Sequence, residues 1–184
     1  MGLSIHYSGQ IKSCELIGAL IAEVKDICES VDWSCHPLTN DIKGICFSPP
    51  GCEPIFLTFL ATGRMCSPIN LQYQDIYEKN GLDPELMYTT STKTQYAGME
   101  AHKAIIKLLR YLKDKYFSVF ELNDEGMYWE TNDEKVLQSQ FARYEAALNV
   151  LADALNEMNT VPGESPGSLA DRIEQAIKRK FDQP

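Results

Sequence analysis

Cys52 and Glu53 stand side by side in the run Pro49-Pro50-Gly51-Cys52-Glu53-Pro54. A thiol can act as a nucleophile when a neighbouring base takes its proton. A carboxylate next to it works the other way, because it disfavours the reactive thiolate. No local Cys/His signature accompanies the pair, so His36 or His102 would have to be delivered by the fold. His102 precedes Ile105 and Ile106 by three and four residues, with Gln95 and Glu100 near it in the chain. A single His with no paired ligand at metal spacing is a weak signal, and a His at the rim of a helix accounts for it better. Cys52, Glu53, Gln95 and His102 are therefore the candidate site, and a Pro/Gly hairpin turn is the plainer account of the first two.

A second cluster is acidic and aromatic: Tyr128-Trp129-Glu130 with Asp124, Glu125, Asp133 and Glu134. Paired carboxylates can do acid–base work if they converge, and aromatic faces can hold a cation. Ordinary surface and capping roles explain Glu130 and Glu134 as well. There is no G-x-G-x-x-G, Walker loop, G-x-S-x-G or H-E-x-x-H, so nucleotide and zinc-protease chemistry gain no support. The six cysteines contain no C-x-x-C pair, and no metal or cofactor is expected. Cys14, Cys28 and Cys46 fall in regular elements and read as small buried hydrophobes, leaving Cys52 as the exposed thiol.

The formal net charge of −9 disfavours phosphate backbones and anionic lipid surfaces, so neither nucleic acid nor membrane is an expected partner. A basic protein partner suits that charge, although solubility alone also explains it. No apolar run reaches membrane-spanning length, and the first residues lack a leader pattern, so a cytoplasmic location is expected. His6 occupies the place where a myristoylation motif wants Ser or Thr.

The elements that must position these residues centre on Lys43–Gly63. Two strands, Ile45–Ser48 and Ile55–Leu60, rich in β-branched and aromatic residues, flank the Cys52 turn. They read as a hairpin in the middle of a sheet with helices on one face. Before them come a strand at Leu3–Gly9, a helix from Cys14 to Ser30 capped by Ser13, and a short strand at Asp32–Pro37. Residues 67–84 are hard to read, with a short helix near Leu71–Glu78. Leu86–Gln95 reads as a strand with one face nearly all hydroxyl, at an edge or a binding surface. A helix over Met99–Tyr116 follows, then a hairpin of Ser118–Leu122 and Met127–Glu130.

Thr131 and Glu134 form a capping box for a long helix. Leu137, Phe141, Tyr144, Leu148, Leu151, Leu155 and Met158 run along it in heptad steps. The seam serves a coiled-coil dimer or, favoured by the wider apolar stripe, packing onto the sheet. After a Pro/Gly linker, an amphipathic helix begins past Ser168.

The fold expected is thus α+β, a mostly antiparallel sheet with helices on one face, over residues 1–160. Residues 161–184 form a linker and helical appendage. The order β-α-β-β recurs, with Tyr7-Ser8-Gly9 echoing Tyr96-Ala97-Gly98, so a pseudo-twofold duplication is a further expectation. The function expected is a non-catalytic protein-binding or regulatory module, with a homodimer among its partners. The alternative is a small hydrolase near Cys52, Glu53 and His102.

Overall fold

The computed structural model describes residues 3–156, 163 and 165–181. The chain divides into two compact units, Met1–Phe141 and Ala142–Pro184. The first carries an α+β architecture built on two small antiparallel sheets.

Strand β1 (Ser4–Ile11) is the middle of one sheet, between β5 (Thr90–Lys93) and β6 (Phe117–Asp124). Strand β3 (Lys43–Ser48) is the middle of the other, between β2 (Ser34–Thr39) and β4 (Ile55–Phe59). In β1 the period-two pattern holds: Ile5 and Tyr7 are buried, while Ser4, His6 and Ser8 are not.

The sheets are joined along a seam. Met65 N–H donates to Gly9 O at 2.8 Å and Ile11 N–H to Gly63 O at 3.0 Å, while Cys66 N–H donates to Thr58 O at 3.0 Å. Residues 63–66 therefore bridge the C-terminal half of β1 to β4. Opposite the N-terminal half of β1, β5 fills the same gap. Tyr7 closes what remains: its hydroxyl accepts from Phe56 N–H at 3.0 Å and donates to Phe56 O at 3.2 Å. The expected hairpin is present, with Ile45, Phe47, Ile55, Leu57 and Phe59 all buried, but in its own sheet rather than a shared one.

Helix α1 (Ile17–Ser30) packs on β2 and β3 through Leu20, Val24 and Cys28. Helix α4 (Gly98–Tyr116) packs on β6, burying Ile105, Leu108, Leu109, Leu112 and Tyr116. Apolar residues every three or four positions give each helix one buried stripe. Between β4 and β5 lie two short helices, α2 (Pro68–Gln72) and α3 (Gln74–Lys79), separated at Tyr73. Ser67 caps α2, accepting from Asn70 N–H, with Pro68 in its first turn.

Three of the strand expectations need correction. Leu86–Tyr88 is not strand: Asp83 caps a 3-10 turn at Pro84–Tyr88, leaving only Thr90–Lys93 extended. Met127–Glu130 is not the return strand of a hairpin: Tyr128–Thr131 is a helical turn, α5. The second copy of the β-α-β-β order is therefore incomplete. The strand pairing is not duplicated either, since β6 pairs with β1 and β2 with β3.

Helix α6 (Glu134–Asn156) is capped by Asp133, whose carboxylate accepts from Lys135 N–H at 2.8 Å, and not by Thr131. Of its heptad positions, Leu137 is buried and Phe141 packs on the core, whereas Leu148 and Leu155 are exposed. Met158 lies outside the described residues. Helix α7 (Pro166–Phe181) starts earlier than expected, with Ser165 accepting from Ser168 N–H and proline in the first turn.

Candidate functional site

The hydroxyl face of β5 points inward. Thr90, Thr92 and Thr94 are all buried, so the face expected at an edge or binding surface is a polar lining of the core. Buried hydroxyls usually find partners; Thr90 Oγ1 has none among the described residues, whereas the partners of Thr94 lead to a fully buried polar cluster.

The Thr94 hydroxyl lies 2.7 Å from His102 Nδ1. On the other side of the ring, Nε2 lies 3.0 Å from Asp124 Oδ1 and 3.2 Å from Oδ2. Asp124 in turn accepts from the backbone N–H groups of Gly126 at 2.7 Å, Tyr128 at 2.8 Å and Trp129 at 2.9 Å. Nε2–H thus donates to the carboxylate, and the Thr94 hydroxyl serves Nδ1. That hydroxyl also lies 3.3 Å from Leu3 O, so it can donate to either group as it rotates. Burial pushes the Asp124 carboxyl up. The hydrogen bond from His102, with those from the Trp129 and Gly126 N–H groups, outweighs it and holds the carboxyl below its ordinary range.

This network explains α5. Asp124 caps its start, and Arg110 closes its end, donating to Tyr128 O and Trp129 O at 2.7 Å each and to Asn132 Oδ1 at 2.7 Å. Met127 and Asn132, at φ 58° and 52°, take the left-handed conformations that bracket the turn. Gly126 leaves room for the imidazole: a Cβ there would meet His102 Nε2 at 2.8 Å and Leu137 Cδ1 at 2.7 Å.

Hydroxyl, imidazole and carboxylate in series are the ingredients of nucleophilic catalysis. Here the His102 and Asp124 side chains are 0% exposed, and Thr94 is equally sealed, so no substrate reaches the hydroxyl. What the arrangement does is tie together β5, α4, β6 and the 124–129 turn.

The other expected residues are spread along the same strand. Cys52 Sγ donates to Lys93 O at 3.3 Å and lies 3.6 Å from Thr92 Oγ1. Burial raises its thiol pKa, the Thr92 hydrogen bond opposes this, and the Glu53 charge adds to the rise. Glu53 accepts from Lys93 N–H at 3.0 Å through its side chain and from Thr92 Oγ1 at 2.9 Å through its carbonyl. Both residues fasten the Pro/Gly turn to β5. Gln95 Oε1 is buried without a partner among the described residues. Among those residues, no hydrogen bond or ion pair joins Cys52 or Glu53 to His102. Cys14, expected in the interior, is exposed, and Cys52 is half-buried.

The acidic–aromatic patch does not assemble. Asp124 is internal, Glu125 accepts from Ser4 N–H at 2.7 Å, Glu134 pairs with Lys103 at 2.9 Å, and Tyr128 is buried. Trp129 already faces Arg110 and Lys113, at 5.5 and 5.4 Å from its ring centre.

The open surface lies elsewhere. Between the β2–β3 turn and α2 there is a wide cleft of about 540 Å³, lined by Pro37, Leu38, Asp41, Ile42, Pro68 and Leu71 among others. Along the same 67–88 segment, Ile69, Tyr73, Ile76, Leu82 and Leu86 are each between 41% and 53% exposed. Asn70 Nδ2 donates to Leu86 O at 2.7 Å, and Leu82 N–H to Tyr77 O at 3.1 Å, folding the segment back on itself. Sequence reasoning missed this stretch. Its signal was apolar residues at positions 69, 73 and 76, a helical spacing.

Comparison with protein-family models, with curated proteins and with solved structures returns no match for this chain. Among the described residues no helix is long and apolar enough to cross a membrane.

Proposed function

We propose that the chain is a non-catalytic protein-binding module, acting in the cytoplasm, whose docking surface is the 67–88 segment and the adjoining cleft. The observation that carries this reading is the run of five large apolar side chains left exposed there. Single exposed apolar residues need no explanation, but five on one short segment that also helps line a cleft are the kind of surface an interaction site uses. Asp75, Glu78 and Asp83 are exposed along the same segment, and Lys79 is its one basic residue. The occupant that fits is a segment of another protein with apolar anchors and a basic rim.

The sealed Thr94–His102–Asp124 network supports the non-catalytic side of the reading. A hydrolase built on Cys52, Glu53 and His102 would need a movement that exposes the imidazole.

The test is selection of binders from a random peptide library against the intact chain, with an Ile69→Glu/Ile76→Glu variant as counter-target. Enriched peptides should combine Leu, Ile or Phe with Lys or Arg, lose affinity as salt rises, and bind the variant at least tenfold more weakly. Peptides that bind both proteins equally, or no enrichment at all, would overturn the assignment.

A further inference from the structure

Cys28 and Cys35 are the two cysteines that the fold turns toward each other. Cys28 is fully buried in the last turn of α1, on the face that packs against β2 and β3. The chain then doubles back, with Trp33 N–H donating to Cys28 O at 2.8 Å. Cys35 pairs with Phe47 across the β2–β3 ladder, and cross-strand partners share a face. Phe47 is buried on the side of its sheet that Trp33 covers, with the two rings stacked at 6.1 Å. The Cys35 side chain therefore points to the α1 side, where Cys28 also points. Both belong to the same apolar cluster, and after burial itself the nearby Cys35 thiol is what pushes the Cys28 thiol up.

Their exposure differs in a useful way. Cys35 sits on β2, the outer strand of its sheet, and is partly open to solvent. Cys28 is sealed behind it. This is the layout of an attacking thiol at the surface with a resolving thiol beneath.

We infer that Cys28 and Cys35 are a redox-modification site, closing to a disulfide when the protein meets a peroxide. The Cys35 thiolate attacks one peroxide oxygen. The O–O bond breaks, hydroxide leaves and takes up a proton to give water, and Cys35 becomes a sulfenic acid. Cys28 Sγ then attacks Cys35 Sγ. The S–O bond breaks, and the departing hydroxide takes the Cys28 proton as a second water. Two thiols are oxidised and one peroxide is reduced to two waters. A thiol reductant reverses the bond. The disulfide clips the end of α1 to an edge strand that one neighbour alone now holds in the sheet. The inference does not depend on the docking surface proposed above.

The sequence makes the test direct. Lys25 and Lys43 bound a tryptic peptide, residues 26–43, which holds Cys28 and Cys35 and no other cysteine. The intact chain is treated with hydrogen peroxide, quenched with N-ethylmaleimide and digested. The expected result is that this peptide loses two hydrogen atoms and escapes alkylation, and that prior dithiothreitol restores both alkylated thiols. In Cys28→Ala, chosen as apolar for a buried position, Cys35 should instead be trapped as a sulfenic acid by dimedone. Burial pushes the Cys28 thiol up to about 12, so closure after peroxide addition should quicken as the buffer is raised from neutral. The inference fails if the peptide keeps two alkylated thiols while others oxidise. It fails equally if Cys35 is found bridged to a cysteine other than Cys28.

Discussion

Replacing Asp124 by alanine should be among the costlier single changes in the first unit, and the cost can be worked from its contacts. The carboxylate accepts from three backbone N–H groups, at 2.7, 2.8 and 2.9 Å, and from His102 Nε2 at 3.0 Å. Removing it leaves those donors facing an apolar gap, and an orphaned buried donor costs roughly 1–3 kcal/mol. Water reaching the half-buried Trp129 N–H reduces the sum. We expect a loss of about 4 kcal/mol, a large fraction of the ~5–15 kcal/mol that holds a domain together. Asp124→Asn keeps the shape but turns a donor toward donors, and should lose about half as much.

The pH dependence gives a second reading of the same residue. The folded carboxyl titrates below its ordinary value, so its contribution is complete above about pH 4 and drains away as pH falls through the lowered value. Urea denaturation of wild type and Asp124→Asn, repeated between neutral and strongly acidic pH, should show the two stabilities converging below about pH 4. A loss under about 1 kcal/mol for Asp124→Ala, or a gap between wild type and Asp124→Asn that stays constant into acid, would refute the reasoning.

Gly126→Ala should cost about 1–3 kcal/mol by overpacking, because its Cβ would meet Leu137 and His102 within 3.0 Å; chemical denaturation measures it. Thr94→Val, which leaves Nδ1 without its hydroxyl partner, should lose about 1–2 kcal/mol, whereas Thr94→Ser should lose clearly less. The Glu23 carboxyl is pushed up by burial but held down more strongly by Lys115, Tyr111 and Tyr116, so it should titrate near 2 when followed by carboxyl carbon NMR. Its contribution to stability is complete above its ordinary value and is lost as pH falls toward 2. Ile76→Glu, at a side chain 53% exposed, should change stability by less than about 0.5 kcal/mol, which thermal denaturation checks.

Periodicity and punctuation in the sequence determined the α+β class. They placed β1, the β3–β4 hairpin and α4 to within a few residues, because each carries a one-sided apolar pattern that only one secondary structure can bury. The acidic charge and the absence of nucleotide or zinc motifs were equally local facts. Tertiary structure alone decided what the polar residues do. His102 and Asp124 are twenty-two residues apart in the chain and meet only because α4 returns alongside β6. Asp124 and Arg110 together turn a segment with strand-like composition into the helical turn α5, since a carboxylate at one end and a guanidinium at the other satisfy backbone groups that a strand would have left for a partner. The Thr90-Thr92-Thr94 alternation was legible as a strand, but which face lay inside was not. A hydroxyl is content in water or in a core that supplies it with a partner, so its position depends on neighbours that arrive from distant parts of the chain.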